Sequence, residues 1–335
     1  MSSSVSNNSA ISLHLKQISD PTSLKNQLEL HMNPKLKVLL QRPGAFLELS
    51  KRSMNPKSAL CPSCGAHPAG RTLDRRFGIM SLRRCSSCHL LYRTPTDSPL
   101  NSTDFYQSDY TEPAVTDLPD LKTLEEFKAD GFASKGSLTN YIELIRRLFR
   151  KEKIRLVDYG CSWGYNTWKF REAGFDAQGV EVSKSRCDFG KEKLGVNAHY
   201  SADKLNPPFD VFFSSHVFEH VPSVHAAFED AERLLSEGGV AIIITPNGSE
   251  AFRKARPSRW HELWGRKHPN FLDDVFWGKC LAKYPHVLMS RNEDGSVVAP
   301  LSALTDESLL AETQFDLSGE ELIVLVRLSK NETAA

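Results

Sequence analysis

Four cysteines stand in two C-x-x-C pairs, Cys61 with Cys64 and Cys85 with Cys88, and twenty residues separate the pairs. Zn²⁺ favours four thiolates in a tetrahedron, and each C-x-x-C turn presents two sulfurs from one tight loop. A site filled by four protein thiolates leaves no position for water, so this metal would be structural and not catalytic. Gly65 after Cys64 suits such a turn, whereas His89 occupies that place after Cys88. His67 and His89 are alternate ligands or surface histidines, and reduced structural cysteines or a redox pair are the rival readings of the four thiols. The chain has seven cysteines, Cys161, Cys187 and Cys280 being scattered. An odd count fits a secreted disulfide framework poorly.

A second constellation reads Asp158-Tyr-Gly160-Cys-Ser162-Trp-Gly164. Small residues at a strand-to-helix turn let a ligand approach the backbone, in the crevice beyond the carboxyl ends of the strands. Glu181 follows Gly160 by 21 residues and ends the next strand-like run. A carboxylate there can accept hydrogen bonds from two ribose hydroxyls. The G-x-G-x-x-G of dinucleotide sites is missing. The bland reading of Asp158 and Glu181 is an acid at a strand end that caps a helix.

The elements that must hold these groups begin at Leu138, where helix and strand signals start to alternate. Leu138 to Lys153 reads as an amphipathic helix with Tyr141, Ile142, Ile145, Leu148 and Phe149 on one face. Strands follow at Ile154 to Tyr159, Ala177 to Val182, Val196 to Tyr200 and Val211 to Ser215, with helices over Tyr165 to Ala173 and Lys184 to Leu194. Ser223 can cap a helix whose stripe is Val224, Ala227, Phe228, Ala231, Leu234 and Leu235, stopped by Gly238-Gly239 before a buried strand at Val240 to Thr245. This βαβα alternation implies a mostly parallel sheet covered on both faces.

With these motifs in order, the stretch from Leu138 to Leu328 resembles the class I S-adenosylmethionine-dependent methyltransferases. Asp158, Gly160 and Gly164 match that family's first motif, with Ser162 in place of its middle glycine. Phe209-Asp210-Val211 leading to Ser215-His216-Val-Phe-Glu219-His220 looks like its fourth-strand motif, and Glu232 to Thr245-Pro246-Asn247 like its fifth. The resemblance implies a Rossmann-like α/β fold in which a terminal antiparallel hairpin, His286 to Arg291 with Glu321 to Leu328, completes the sheet. It implies S-adenosylmethionine as cofactor, held by Asp158, Gly160, Ser162, Gly164 and Glu181, with Asp203 a weaker candidate for the adenine. Methyl transfer is an in-line displacement, so alignment is the protein's main contribution. An oxygen or carbon acid also needs a base, and His220 and then His216 are the candidates, unless they cap a helix or pack on the cofactor. Glu219 could orient His220, and His268 is a further candidate base.

The N-terminal part, with its cysteine pairs followed by Phe105-Tyr106 and Tyr110, is similar to methyltransferases with an N-terminal zinc-binding region, including some that act on nucleotide-linked sugars. It biases the acceptor toward a small molecule, carbohydrate or nucleotide sugar methylated on oxygen or carbon. The insertion 246–285 is rich in aromatic and basic residues. Either it forms an acceptor lid, with Trp260 and Trp264 stacking on a ring and Arg259 or Arg266 meeting a phosphate, or its tryptophans pack under solvated arginines. The expected organisation is a partly disordered segment 1–58, a zinc ribbon 59–96, an acidic connector 97–136 and a methyltransferase domain 137–330.

Composition constrains the partners. The 335 residues carry 42 Lys+Arg against 41 Asp+Glu, which argues against a surface built throughout for nucleic acid or an anionic membrane. Locally the charge separates: Lys51 to Asp97 holds nine bases and two acids, a net of +7, and Asn101 to Lys135 eight acids and three lysines, a net of −5. Gripping RNA or protein through the basic stretch is therefore a rival function, and a scaffold that has lost turnover is another. No apolar run approaches the ~18 residues of a membrane span, and the first residues do not resemble a secretory signal. The expectation is a soluble cytoplasmic protein.

Overall fold

A computed structural model of the chain describes residues 50–97, 118–292, 301–305 and 307–328. Phe105, Tyr106 and Tyr110, half of the acidic connector and most of the expected disordered segment lie outside them. The chain divides after Met54, and the strands and helices of both sheets belong to the compact unit from Asn55 onward.

The large sheet is built from β4 (Arg155–Tyr159), β5 (Asp176–Val180), β6 (Asn197–His199), β7 (Phe209–Ser215), β8 (Leu235–Pro246), β10 (His286–Arg291), β11 (Thr313–Gln314) and β12 (Glu321–Arg327). Its order is β11-β10-β12-β8-β7-β4-β5-β6. Strands β4 to β8 pair in parallel, and β12 runs antiparallel between β8 and β10. The hairpin expected from the sequence therefore closes the sheet. The chain goes outward from β4 to β5 and β6, then returns to place β7 on the other side of β4. Such a reversal opens a crevice at the carboxyl ends of β4 and β7.

Side-chain alternation along the strands supplies a core to each face. Phe212 and Ile243 belong to the cluster under α5 (Val224–Leu234) and α8 (Asp274–Cys280), while Val211, Phe213, Ile242 and Ile244 face α2 (Thr139–Leu148) and α3 (Tyr165–Glu172). Ser223 caps α5 as expected, its Oγ accepting from the Ala226 amide at 3.2 Å. Leu235, expected on that helix, is already extended and pairs with Phe209. A third cluster packs α1 (Leu121–Ala129) and Phe132 over Trp163, beside α4 (Lys184–Phe189).

The cysteine region forms a second sheet of β1 (Pro68–Arg76), β2 (Met80–Cys85) and β3 (Leu91–Thr94), and its fourth strand is β9 (Asn270–Phe271) from the 246–285 insertion. Leu91 pairs with Phe271 and Tyr92 with Asn270. Cys61, Cys85, Cys88, Leu90 and Tyr92 share one core with Leu272, Phe276 and Trp277. The insertion, which also carries α6 (Glu250–Ala255) and α7 (Pro257–Leu263), thus packs on the cysteine module. Trp260 and Trp264 are 3% and 1% exposed. Their ring N–H groups donate to the Gly248 carbonyl and to Asp74, and Arg259 pairs with Glu320. Packing, and not stacking on a ligand, is what these tryptophans do. Three arginines of the basic stretch are likewise engaged within the fold: Arg84 pairs with buried Asp273 at 2.6 Å, Arg93 is buried against Asp97, and Arg76 donates to the Trp264 carbonyl.

Candidate functional site

A cavity of about 720 Å³ occupies the crevice at the ends of β4, β5 and β7. Asp158, Gly160, Ser162, Glu181, His216 and His220 all line it. Gly164 does not. It starts α3 at φ +87, and a Cβ there would stand 2.7 Å from Val196 Cγ2, so this glycine serves close packing. Gly160, at φ +79, is pressed against the turn after β7, where a Cβ would meet Val217 Cγ2 at 2.2 Å.

Ser162 adopts φ +51, the left-handed conformation that a glycine in its place would take. Its amide donates to Glu181 Oε2 at 2.9 Å, and the Ser183 amide donates to Glu181 Oε1 at 2.7 Å. A carboxylate offers about four lone-pair sites, so each oxygen keeps one for a ligand in the cavity. Burial raises the Glu181 pKa, while the Ser183 amide, Arg186 and the Ser162 amide act against that rise. Asp158 is 2% exposed and accepts from Thr167 Oγ1 at 2.7 Å, which ties the turn to α3. Burial pushes its pKa up to about 7, with the hydrogen bonds from Thr167 opposing. Asp203 lies at the cavity rim, largely exposed and 3.3 Å from Arg233.

The turn after β7 carries the second half of the site. His216 sits at φ +57, another left-handed non-glycine residue, a strain that clusters at functional positions. Its Nε2 is 2.6 Å from Glu321 and its Nδ1 3.3 Å from Glu219. Desolvation lowers its pKa, but the hydrogen bonds and charges of Glu219 and Glu321 outweigh it and raise the value to about 10. At neutral pH His216 is thus an imidazolium with both nitrogens protonated. Glu321, held by His216 and Arg291 against its own burial, is pushed down to about 2. Glu219 has no exposed surface, and its pKa is lowered because His220, His216 and His268 outweigh its desolvation.

His220 donates its Nδ1 proton to the Lys267 carbonyl at 2.7 Å and holds Nε2 3.7 Å from Glu219. His268, from the insertion, donates Nδ1 to the Leu263 carbonyl at 2.5 Å, and its ring lies 4.8 Å from that of His220. Burial and the neighbouring His220 push the pKa of His268 down to about 4. The Asn270 side chain donates to the carbonyls of Phe218 and Val221, which fastens the insertion to this turn. Sequence reading overlooked Arg291, Tyr159 and Asp230, which also line the cavity. Tyr159 stands inside the motif but carries no spacing signal of its own, and Arg291 and Asp230 lie far from it in the chain.

The four motif cysteines converge. Cys61 and Cys88 sulfurs are 3.7 Å apart, Cys64 and Cys85 sulfurs 3.3 Å, and all four lie within 4.8 Å of one another. A tetrahedron with Zn–S near 2.3 Å has edges of about 3.8 Å, so the donor set fits Zn²⁺ in both chemistry and size.

Residues 134–284 match the family model described as a methyltransferase domain. Over this stretch the chain carries a methyltransferase domain. The ubiquinone biosynthesis O-methyltransferase of Maricaulis maris is 30% identical over 115 residues, 31% of this chain and 45% of that protein. The malonyl-[acyl-carrier protein] O-methyltransferase of Serratia marcescens is 24% identical over 142 residues, 41% of this chain and 55% of that one. The chain therefore spans about half the length of these curated relatives. Among solved structures, the geranyl diphosphate C-methyltransferase from Streptomyces coelicolor A3(2) is 18% identical, covers 69% of this chain and 97% of that chain, and has a TM-score of 0.42. Within the methyltransferase domain, the residues at β4 and β5 suit S-adenosylmethionine: a half-buried carboxylate with spare lone pairs for ribose hydroxyls, and a turn in which Gly160 has no room for a Cβ.

Proposed function

We propose that this protein is an S-adenosylmethionine-dependent methyltransferase acting on a small hydroxyl-bearing acceptor, with a carbohydrate or nucleotide sugar favoured. The observation that carries the reading is Glu181, a half-buried carboxylate held by two backbone amides and lining the cavity at the end of β5. The cofactor would supply an electrophilic methyl group. Glu181 binds its ribose, Asp158 orders the turn through Thr167, and Gly160 and Ser162 let it approach the backbone.

At the acceptor side His220 takes the proton. Its Nδ1 proton is committed to the Lys267 carbonyl, which leaves the Nε2 lone pair as the basic atom. His216, a cation at neutral pH, cannot accept a proton and instead supplies positive charge beside the cavity. The Tyr159 hydroxyl, 3.0 Å from Asp230, and the Arg291 guanidinium give the cavity the polar lining that a polyhydroxylated acceptor requires. The curated relatives' names, both O-methyltransferases, favour oxygen as the methylated atom.

Calorimetry with S-adenosylmethionine tests the first half, and absence of binding to the full chain would end the reading. Labelled cofactor incubated with sugar nucleotides and other hydroxylated metabolites tests the second. A labelled sugar product supports the carbohydrate assignment, and label only on other acceptors removes it.

A further inference from the structure

One residue of the insertion takes three of the four carbonyls from Phe218 to Val221, in the turn that carries His220. Asn270 is 1% exposed. Its side-chain amide donates to the Val221 carbonyl at 2.7 Å and to the Phe218 carbonyl at 3.3 Å, and its backbone amide donates to the Glu219 carbonyl at 3.1 Å. The turn between β7 and α5 is thus closed by a residue from outside it. Asn270 is itself held from the other side, where it pairs with Tyr92 in β3 and the Arg93 amide donates to the preceding Pro269 carbonyl at 2.8 Å. Three residues before Asn270, the Lys267 carbonyl accepts the Nδ1 proton of His220 at 2.7 Å, and the ring of His268 lies 4.8 Å from that of His220. Both the backbone and the ring of His220 are therefore fixed to one segment, 267–270, whose place is set by the sheet of the cysteine module.

We propose that Asn270 is a positioning residue for methyl transfer: it clamps the turn from Phe218 to Val221 against segment 267–270 and so orients the His220 imidazole in the cavity. The inference rests on the proposed function for the step that His220 serves. Asn270 does not line the cavity, so it acts through His220 and not on the acceptor. A side-chain amide suits this work because its two N–H groups reach two carbonyls at once, which a hydroxyl with one proton cannot do. At the start of the same turn His216 holds its left-handed φ of +57, and such a conformation persists only where the surroundings over-determine it. Asn270 supplies that constraint from the far side of the turn. Truncating it leaves buried carbonyls without donors and frees the turn to shift, and a shift of ~1 Å in a reacting group can cost about a hundredfold in rate. Glu181 and the amides that hold it stand at the ends of β4 and β5, away from these bonds. Loss of the clamp is therefore felt on the acceptor side and not in cofactor binding.

The test is ¹⁵N NMR of the zinc-loaded, cofactor-free full chain labelled at histidine, with the His220 ring assigned through His220→Gln. The expected result at pH ~8, above the usual imidazole range, is a wild-type His220 ring protonated at Nδ1 and, in Asn270→Ala, loss of that single tautomer to an exchanging mixture. The variant should bind S-adenosylmethionine within about threefold of wild type. Its turnover at saturating cofactor, read as label transferred to the panel of sugar nucleotides and hydroxylated metabolites, should fall by about tenfold or more. Retained zinc and an unchanged circular dichroism spectrum show that the variant is folded. If Asn270→Ala fails to fold, Asn270→Asp, which keeps the size and removes both side-chain amide donors, decides. An unchanged His220 signal, or cofactor affinity lost in step with turnover, overturns the proposal. The NMR measurement needs neither cofactor nor acceptor, so failure of this clamp and failure of the methyltransferase reading are distinguishable.

Discussion

Glu181 and Asp158 line the same cavity, and burial raises the pKa of both. Glu181 keeps two lone pairs toward the cavity, so Glu181→Ala removes two charge-assisted hydrogen bonds and leaves the Ser162 and Ser183 amides without their acceptor. Binding of S-adenosylmethionine should weaken by roughly tenfold to a hundredfold in calorimetry. Asp158 carries a pKa raised from about 4 to about 7 by burial. The folded protein therefore holds this proton up to near pH 7, whereas the unfolded chain releases it near pH 4. The resulting stabilisation is full below pH ~4 and lost as pH rises through 7. Asp158→Asn abolishes that loss, so relative to wild type it should gain roughly 2–4 kcal/mol between pH 4 and pH 8 in urea unfolding of the unliganded protein. Parallel pH curves for the two proteins would refute the shift.

Strand β9 joins two elements that the sequence places far apart. It gives the cysteine module its fourth strand, and its Asn270 side chain anchors the turn bearing His216, Glu219 and His220. Removal of zinc should then be felt in the insertion. Hydrogen exchange after chelation is expected to quicken at residues 264–273 as well as at 61–94, while affinity for S-adenosylmethionine, whose proposed site lies at β4 and β5, changes by less than about threefold. Asp273 caps α8 through the Phe276 amide and pairs with Arg84 in a buried setting. Truncation in Asp273→Ala leaves Arg84 without its partner and should destabilise the protein by about 2–4 kcal/mol, read as a lower urea midpoint at unchanged slope.

At the scale of the molecule, the cysteines and α8 belong to one core. Cooperative unfolding of Asn55 onward as a single unit is expected, with one calorimetric transition that S-adenosylmethionine moves upward. At a hundred times its Kd the cofactor adds about 2.7 kcal/mol. Two separate transitions, only one of them shifted by cofactor, would show that the cysteine module melts alone. The inward-facing arginines Arg76, Arg84 and Arg93 also reduce the charge available for RNA, which leaves the cavity as the feature best suited to a substrate. Among the described residues no helix is long and apolar enough to cross a membrane.

The order of strands and helices, the cysteine pairs and the glycine turn were legible because each depends on local chemistry: hydrophobic period, metal-ligand spacing, backbone freedom. Asp158 and Glu181 could be found for the same reason, since each directly follows a buried run. The roles of the histidines were not legible. His216 becomes a cation because Glu219 and, more than a hundred residues later, Glu321 lie beside it, and His268 meets Glu219 because Asn270 fastens the insertion to the turn after β7. The tryptophans of the insertion show the same limit, since composition suits a ligand lid and a protein core equally. Amino-acid sequence by itself determined the elements and the glycine turn, which rest on neighbours in the chain. Tertiary structure alone decided which charges and lone pairs face each other, because that depends on distances across the fold.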